Sequence, residues 1–317
     1  MGSIDTPKSS SIFLQIIENP DGSVRRPVVP LVPPTGTGPS PKVLAKDVPL
    51  DAANGTWLRL YLPNPPPPET KLPVILYFHG GGFVVFSPDF LLYHSFCEQT
   101  AAALPALVVS LHYRLAPEHR LPAAYDDAVD ALRWLRSSAD PWIASRGDLS
   151  RCFLAGSSSG GNIAYHAGLR ASSLRLGLEP LKLAGVVMVQ PFFGGEARTG
   201  SEEGSEEDAV LPLRANEMMW RMALPAGAGR DHEYCNPAAK PMGKGTALPR
   251  CLVSACRGDP LFDRQREFVR MLERAEGVEE VVASFDDEGY HSMELFDADS
   301  AKKLLSEVRG FVYGSSV

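Results

Sequence analysis

The stretch Phe153-Leu154-Ala155-Gly156-Ser157-Ser158-Ser159-Gly160-Gly161-Asn162 reads as an apolar strand, then G-x-S-x-G, then the opening of a helix. A serine on so sharp a turn takes a strained backbone, which lifts its hydroxyl above the sheet. Glycine is needed two positions to either side, because a Cβ there would meet a neighbouring strand or helix. Three serines compete, and only Ser158 has glycine on both sides at that distance, Gly156 and Gly160. Taken alone, the stretch is equally a Gly/Ser turn that caps a helix. The buried strand before it and the helix after it favour a nucleophile.

The surrounding pattern repeats the same alternation. Val43 to Val48 and Trp57 to Leu62 read as strands, the second with period-two alternation. Continuous apolar runs follow at 73–78, 106–111, 152–155, 184–189, 251–255 and 281–285, the composition of strands covered on both faces. Helical patterns lie between them at 90–103, 123–137, 162–172, 263–275 and 298–312. Strands alternating with helices make an α/β fold with a parallel sheet, whose sites lie beyond the carboxyl ends of the strands. Residues 1–42 are Pro- and Gly-broken and read as an N-terminal arm, with a short helix at Ser10 to Ile17; residues 43–317 form the main domain. The run Pro65 to Pro68 reads as a stiff surface loop.

His79-Gly80-Gly81-Gly82-Phe83 directly follows a buried strand. Its N–H groups, with that of Ser159, are suited to hold the oxygen of a tetrahedral intermediate. A phosphate loop is disfavoured, since the Walker lysine is absent and G-x-G-x-x-G fails at Val85. Of seven histidines, only His291 follows a late strand, in Gly289-Tyr290-His291, which makes it the candidate base. Asp208, Asp231, Asp286 and Asp287 are weaker candidates for the acid than Asp259, which follows the strand at 251–255. Asp263 is expected to cap the helix that starts at Arg264. Such chemistry calls for no metal or organic cofactor.

Composition excludes other classes. The chain has 317 residues, 31 Lys+Arg against 38 Asp+Glu and a net charge of −7, with no basic run of the kind nucleic acid requires. No apolar stretch is long enough to span a bilayer, and Met1 to Leu14 lacks the pattern of a secretory leader. Gly2 fits a short myristoylation pattern, but one acyl chain without a polybasic patch gives no stable membrane anchor. Five cysteines without C-x-x-C or zinc spacing read as free thiols in a reducing, cytoplasmic setting.

His79 to Gly82, Tyr113-Arg114-Leu115-Ala116-Pro117-Glu118, the Ser158 turn, Asp259-Pro260-Leu261 and Gly289-Tyr290-His291 together resemble the hormone-sensitive-lipase branch of the α/β-hydrolases. Phe192 to Arg198 and Asp231 to Pro237 are similar to the plant carboxylesterases within it. The resemblance implies a mostly parallel eight-stranded sheet under a small helical cap, inserted at about 196–235 and completed by the arm. It also implies a triad of Ser158, Asp259 and His291, oxyanion donors from Gly80, Gly81 and Ser159, and a small-molecule ester as substrate. Ser157 stands where many relatives carry Glu or Asp, and Ser292-Met293 where bacterial relatives often have Gly-Phe. Plant relatives also include dehydratases and cyclases that use the same pocket. The gibberellin receptors share the scaffold but lack the catalytic histidine.

Two further expectations concern packing. Arg114 and Glu118 are expected to pair and pin their loop near His79. Phe83, Phe192, Phe193 and Trp220, with Phe86, Met218 and Met219, are read equally as walls of an acyl or alcohol pocket and as ordinary core. Oligomeric state is left open by the sequence.

Overall fold

In the computed structural model, residues 11–34, 42–65, 71–173, 177–240, 242–243 and 245–314 are described. Gly2, Ser10 and Pro66 to Pro68 lie outside them. Eight strands form one sheet: β1 (Val43–Asp51), β2 (Thr56–Pro63), β3 (Leu72–Phe78), β4 (Leu107–His112), β5 (Gly147–Ser157), β6 (Leu183–Val189), β7 (Cys251–Cys256) and β8 (Val281–Asp286). Their order is β8-β7-β6-β5-β3-β4-β2-β1. Every neighbouring pair is parallel except the two that involve β2.

The apolar runs behave as strands covered on both faces. In β3, Val74, Leu76 and Phe78 enter one core while Ile75 and Tyr77 enter the other, the period-two alternation of a pleated strand. Helices α2 (Ala123–Ser137), α4 (Ser159–Ser173) and α7 (Phe262–Arg274) cover the first face. Helices α1 (Leu91–Ala103) and α8 (Ala298–Tyr313) cover the second. Three short helices escaped the sequence pattern: α3 (Pro141–Arg146), α5 (Gly200–Glu203) and α6 (Leu213–Ala223). The first two are shorter than two turns, too short for a hydrophobic period to show. The arm forms a 3-10 turn at Ile12–Gln15, not a helix over 10–17, then a two-stranded ribbon of Ile17–Glu18 and Val24–Arg25.

The arm and residues 196–235 lie together over the sheet's working edge. Ser11 Oγ donates to Val210 O at 2.6 Å, and Arg221 pairs with Glu18. Arg26 Nε donates to Val84 O at 2.6 Å and its Nη2 to Ala116 O at 3.0 Å, so the arm also grips the loop after β3.

Two packing expectations are corrected. Arg114 does not pair with Glu118. Its guanidinium turns back onto α2 and meets Asp127 at 2.6 Å, where the carboxylate also accepts the Arg114 N–H at 2.8 Å. Glu118 instead pairs with Arg26 of the arm. The loop is pinned near His79 all the same, because Ala116 N–H donates to Phe83 O at 2.9 Å. Asp263 is not an N-cap either. It sits in the first turn of α7, whose cap is Leu261, and its carboxylate accepts the Ser201 N–H at 3.0 Å. That bond leads to a short helix the sequence pattern had not revealed.

The two arginine partners differ in burial: the Asp127 side chain is 2% exposed and that of Glu118 38%. Asp127→Ala is expected to lower stability to urea by about 3 kcal/mol, because it strands a partly buried guanidinium. Glu118→Ala is expected to cost under about 1 kcal/mol. Equal losses in the two melts would contradict the pairing.

Candidate active site

Ser158 occupies the turn between β5 and α4 with φ +55°, a left-handed conformation that costs a non-glycine residue of order 1 kcal/mol. Its neighbours over-determine it. The Ser158 N–H donates to Val189 O at 2.9 Å, and its carbonyl accepts the Phe192 N–H at 2.9 Å and the Gly161 N–H at 2.9 Å. A Cβ on Gly156 would lie 2.3 Å from the Gly160 backbone, and one on Gly160 only 1.9 Å from Phe78 O. Both glycines are therefore steric necessities.

His291 Nε2 lies 3.0 Å from Ser158 Oγ, and His291 Nδ1 lies 3.0 Å from each oxygen of Asp259. Three side chains, separated by 101 residues in one step of sequence and 32 in the other, share one buried spot: Ser158 is 5% exposed, His291 2% and Asp259 0%. Asp259 follows β7, and its carboxylate is steered by two further donors, Gln265 Nε2 and Leu261 N–H, each at 2.9 Å. With both Asp259 oxygens as acceptors, the proton of the neutral ring belongs on Nδ1, which leaves Nε2 to accept from the Ser158 hydroxyl. Burial pulls the His291 pKa down, but the Asp259 carboxylate outweighs it, with smaller help from Glu294 and Asp208, and the net result lies above the ordinary 6.5.

Gln190 and Glu294 were not singled out from the sequence. Gln190, at φ +43° just past β6, donates from Nε2 to Tyr290 O at 3.0 Å and accepts the Ser292 N–H on Oε1 at 2.6 Å. It thus grips the backbone on both sides of His291. Ser292 takes φ +60°, a conformation held by that bond where glycine would adopt it freely. A polar residue ending an apolar strand, Val189-Gln190-Pro191, was the available signal. Glu294 is buried on the turn after His291; burial raises its carboxyl pKa, and a bond from Ser157 opposes the rise.

The loop after β3 carries a run of left-handed residues, with φ +111° at Gly81, +61° at Gly82, +66° at Phe83 and +78° at Phe86. The Gly81 carbonyl accepts from Val84 at 3.0 Å and Val85 at 3.1 Å, which closes the turn. A Cβ on Gly80 would stand 2.5 Å from Tyr93 Oη and 3.2 Å from Ser158 Cβ, so only a bare backbone brings this loop alongside the serine. His79 stacks on Tyr113 with ring centres 4.3 Å apart, and its Nδ1–H donates to Gly80 O at 2.7 Å. Burial lowers its pKa to about 3, so the ring is neutral and serves the loop's shape. Ser159 begins α4, next to the serine.

The aromatic residues fall into two groups. Phe83 packs on Trp220 at 5.6 Å and on Phe192 at 6.1 Å, and the Phe192 and Trp220 rings lie parallel at 4.6 Å. Met219 covers Gly82, with its Sδ 1.9 Å from where a Cβ would sit. Phe193 turns away to Phe268 at 4.4 Å and Tyr165 at 6.0 Å. The other acidic candidates are engaged elsewhere: Asp208 accepts from Val210 and Leu211, Asp231 from Glu196 and Asn236, and Asp286 pairs with Lys303.

Comparison with known proteins identifies the family. The profile of the α/β hydrolase fold family matches residues 75–293. The chain is 42% identical to Probable carboxylesterase 8 of Arabidopsis thaliana, over 96% of this chain and 93% of that protein. It is 45% identical to a 3-O-acetylpapaveroxine carboxylesterase of Papaver somniferum, over 84% and 89%. Among solved structures, an esterase of Pyrobaculum calidifontis superposes with a TM-score of 0.72 at 26% identity, covering 86% of this chain and 85% of that one. The chain belongs to the α/β-hydrolase family, among the plant carboxylesterases.

Proposed function

We propose that this carboxylic-ester hydrolase works through Ser158 as nucleophile, His291 as general base and Asp259 as the group that fixes the imidazole. The unbroken series from Ser158 Oγ to His291 to Asp259, with each link at 3.0 Å, carries the reading. A serine hydroxyl is a weak nucleophile at neutral pH, so Nε2 of His291 takes its proton as Oγ bonds to the ester carbonyl carbon. Asp259 stabilises the imidazolium that forms. The carbonyl electron pair moves onto oxygen, where the N–H groups of Gly80, Gly81 and Ser159 receive it, each worth about 3 kcal/mol in comparable sites. The bond to the alcohol oxygen then breaks, His291 returns its proton to the departing alcohol, and water cleaves the acyl-enzyme by the same path.

Residues 11–34 and about 196–235 make up the cap, and Phe83, Phe192 and Trp220 form the apolar wall beside the oxyanion loop. The substrate is a small-molecule ester. All five cysteines are buried and unpaired, which fits a reducing compartment, and we place the enzyme in the cytoplasm. No helix among the described residues is long and apolar enough to cross a membrane.

Two measurements test the reading. A fluorophosphonate should label Ser158, and Ser158→Ala should abolish labelling and cut kcat on a short p-nitrophenyl ester by at least about 10⁴-fold; labelling that persists in the variant would overturn the assignment. The base must be neutral to act, so kcat/KM should fall as pH drops through the His291 pKa, with the inflection above 6.5. In Asp259→Asn burial is opposed only by the smaller effects of Glu294 and Asp208, and the His291 resonance followed by NMR should titrate lower than in the wild type. An unchanged titration would contradict the role of Asp259.

A further inference from the structure

The cap helix α6 carries one residue that the packing does not explain. Asn216 is wholly buried, yet neither its amide nitrogen nor its amide oxygen has a hydrogen-bond partner among the described residues. The same holds for the indole N–H of Trp220, one turn further on. Buried amides without partners are rare in native proteins and ask for an occupant.

Helical spacing says where these groups stand. Residues three and four apart share a face, so Asn216 lies on the stripe of Met219 and Trp220, between the two. Met219 sits directly over Gly82 of the oxyanion loop, and Trp220 packs on Phe83 and on Phe192, whose N–H binds the carbonyl of Ser158. Asp208, on the loop leading into α6, is near enough to act electrostatically on His291. The Asn216 amide therefore belongs to the inner face of α6, on the stripe that meets the glycine loop beside Ser158.

We propose that Asn216, with the Trp220 N–H, binds a hydroxyl group carried by the ester substrate. Trp220 offers only a donor, whereas the amide offers two donors and an acceptor. A hydroxyl oxygen accepts from the donors while its hydrogen goes to Asn216 Oδ1. A ketone or second ester carbonyl would leave Oδ1 unpaired, and so would an ionised carboxylate or phosphate, which has no proton to donate. The site thus selects hydroxylated esters over their deoxy counterparts. This inference rests on Ser158 chemistry for the hydrolysis itself.

The test is a selectivity ratio. Wild type is assayed on p-nitrophenyl alkanoates with a hydroxyl at successive chain positions, and on monoacetates of diols, each beside its deoxy parent. At least one hydroxylated ester should exceed its parent in kcat/KM by about tenfold or more. In Asn216→Leu that ratio should fall to near unity, and in Trp220→Phe, which keeps the stacked ring but loses the N–H, it should fall part of the way. Each ratio is internal to one protein, so a loss of active enzyme cancels. Asn216→Leu should also melt no lower than wild type, since it removes unpaired polar atoms. The inference is overturned if no hydroxylated ester is preferred, as when a trapped water fills the site, if the ratio survives Asn216→Leu, or if that variant melts far lower. Turnover that persists in Ser158→Ala would sink the underlying nucleophile instead, and that result is separate from any of these.

Discussion

One close contact governs the working end of this molecule. Gly160, at the start of α4, approaches the carbonyl of Phe78 at the end of β3 so tightly that a single added methyl would lie 1.9 Å from it and 2.8 Å from His79 O. That contact joins two adjacent parallel strands at their carboxyl ends. β5 delivers Ser158 there, and β3 delivers the glycine loop. Ser158 and the loop amides are thus set relative to one another by backbone, before any side chain takes part. The strain at Ser158, Phe83 and Phe86 is tolerable because this junction, with the bonds from Val189, Phe192 and Ala116, leaves the chain no alternative.

The sheet and its five long helices were readable because they obey simple periods. A strand covered on both faces must be apolar throughout, and 73–78 or 184–189 contain nothing else. The sharp turn at Ser158 was readable because sterics allow only glycine at 156 and 160. The meeting of His291 and Asp259 with it was readable because topology restricts which residues emerge at the carboxyl ends of the strands. Family resemblance supplied the strand count, which the residues alone did not give. Other features were not legible because they depend on three-dimensional partners far apart in sequence. Arg114 chose Asp127 over Glu118, and nothing in the local spacing distinguishes a carboxylate on the same loop from one on the next helix. Gln190 looks like an ordinary strand end until the His291 loop closes over it. The aromatic residues divide by direction, Trp220 toward the loop and Phe193 toward α7, and composition does not encode direction.

The segment 196–235 is held to the rest of the fold by charge as well as by apolar packing. Glu202 is fully buried, and its two oxygens meet Arg230 at 3.3 Å and Arg264 at 3.1 Å. Arg264 belongs to α7, the helix that also supplies Gln265 to Asp259. The same helix therefore anchors residues 196–235 through Glu202 and steers the Asp259 carboxylate. A buried carboxylate shared by two guanidiniums favours one arrangement of this segment, since any other would strand a charge. The arm adds a second tether through Arg26, Glu18 and Ser11.

The central claim is that Ser158, His291 and the loop amides act together on one tetrahedral centre. A crystal structure of the protein after reaction with an alkyl fluorophosphonate tests it most directly. The account predicts phosphorus bonded to Ser158 Oγ, with a phosphoryl oxygen about 3 Å from the N–H groups of Gly80, Gly81 and Ser159, and His291 beside the ester oxygen. An adduct on another residue, or a phosphoryl oxygen pointing away from those amides, would contradict it.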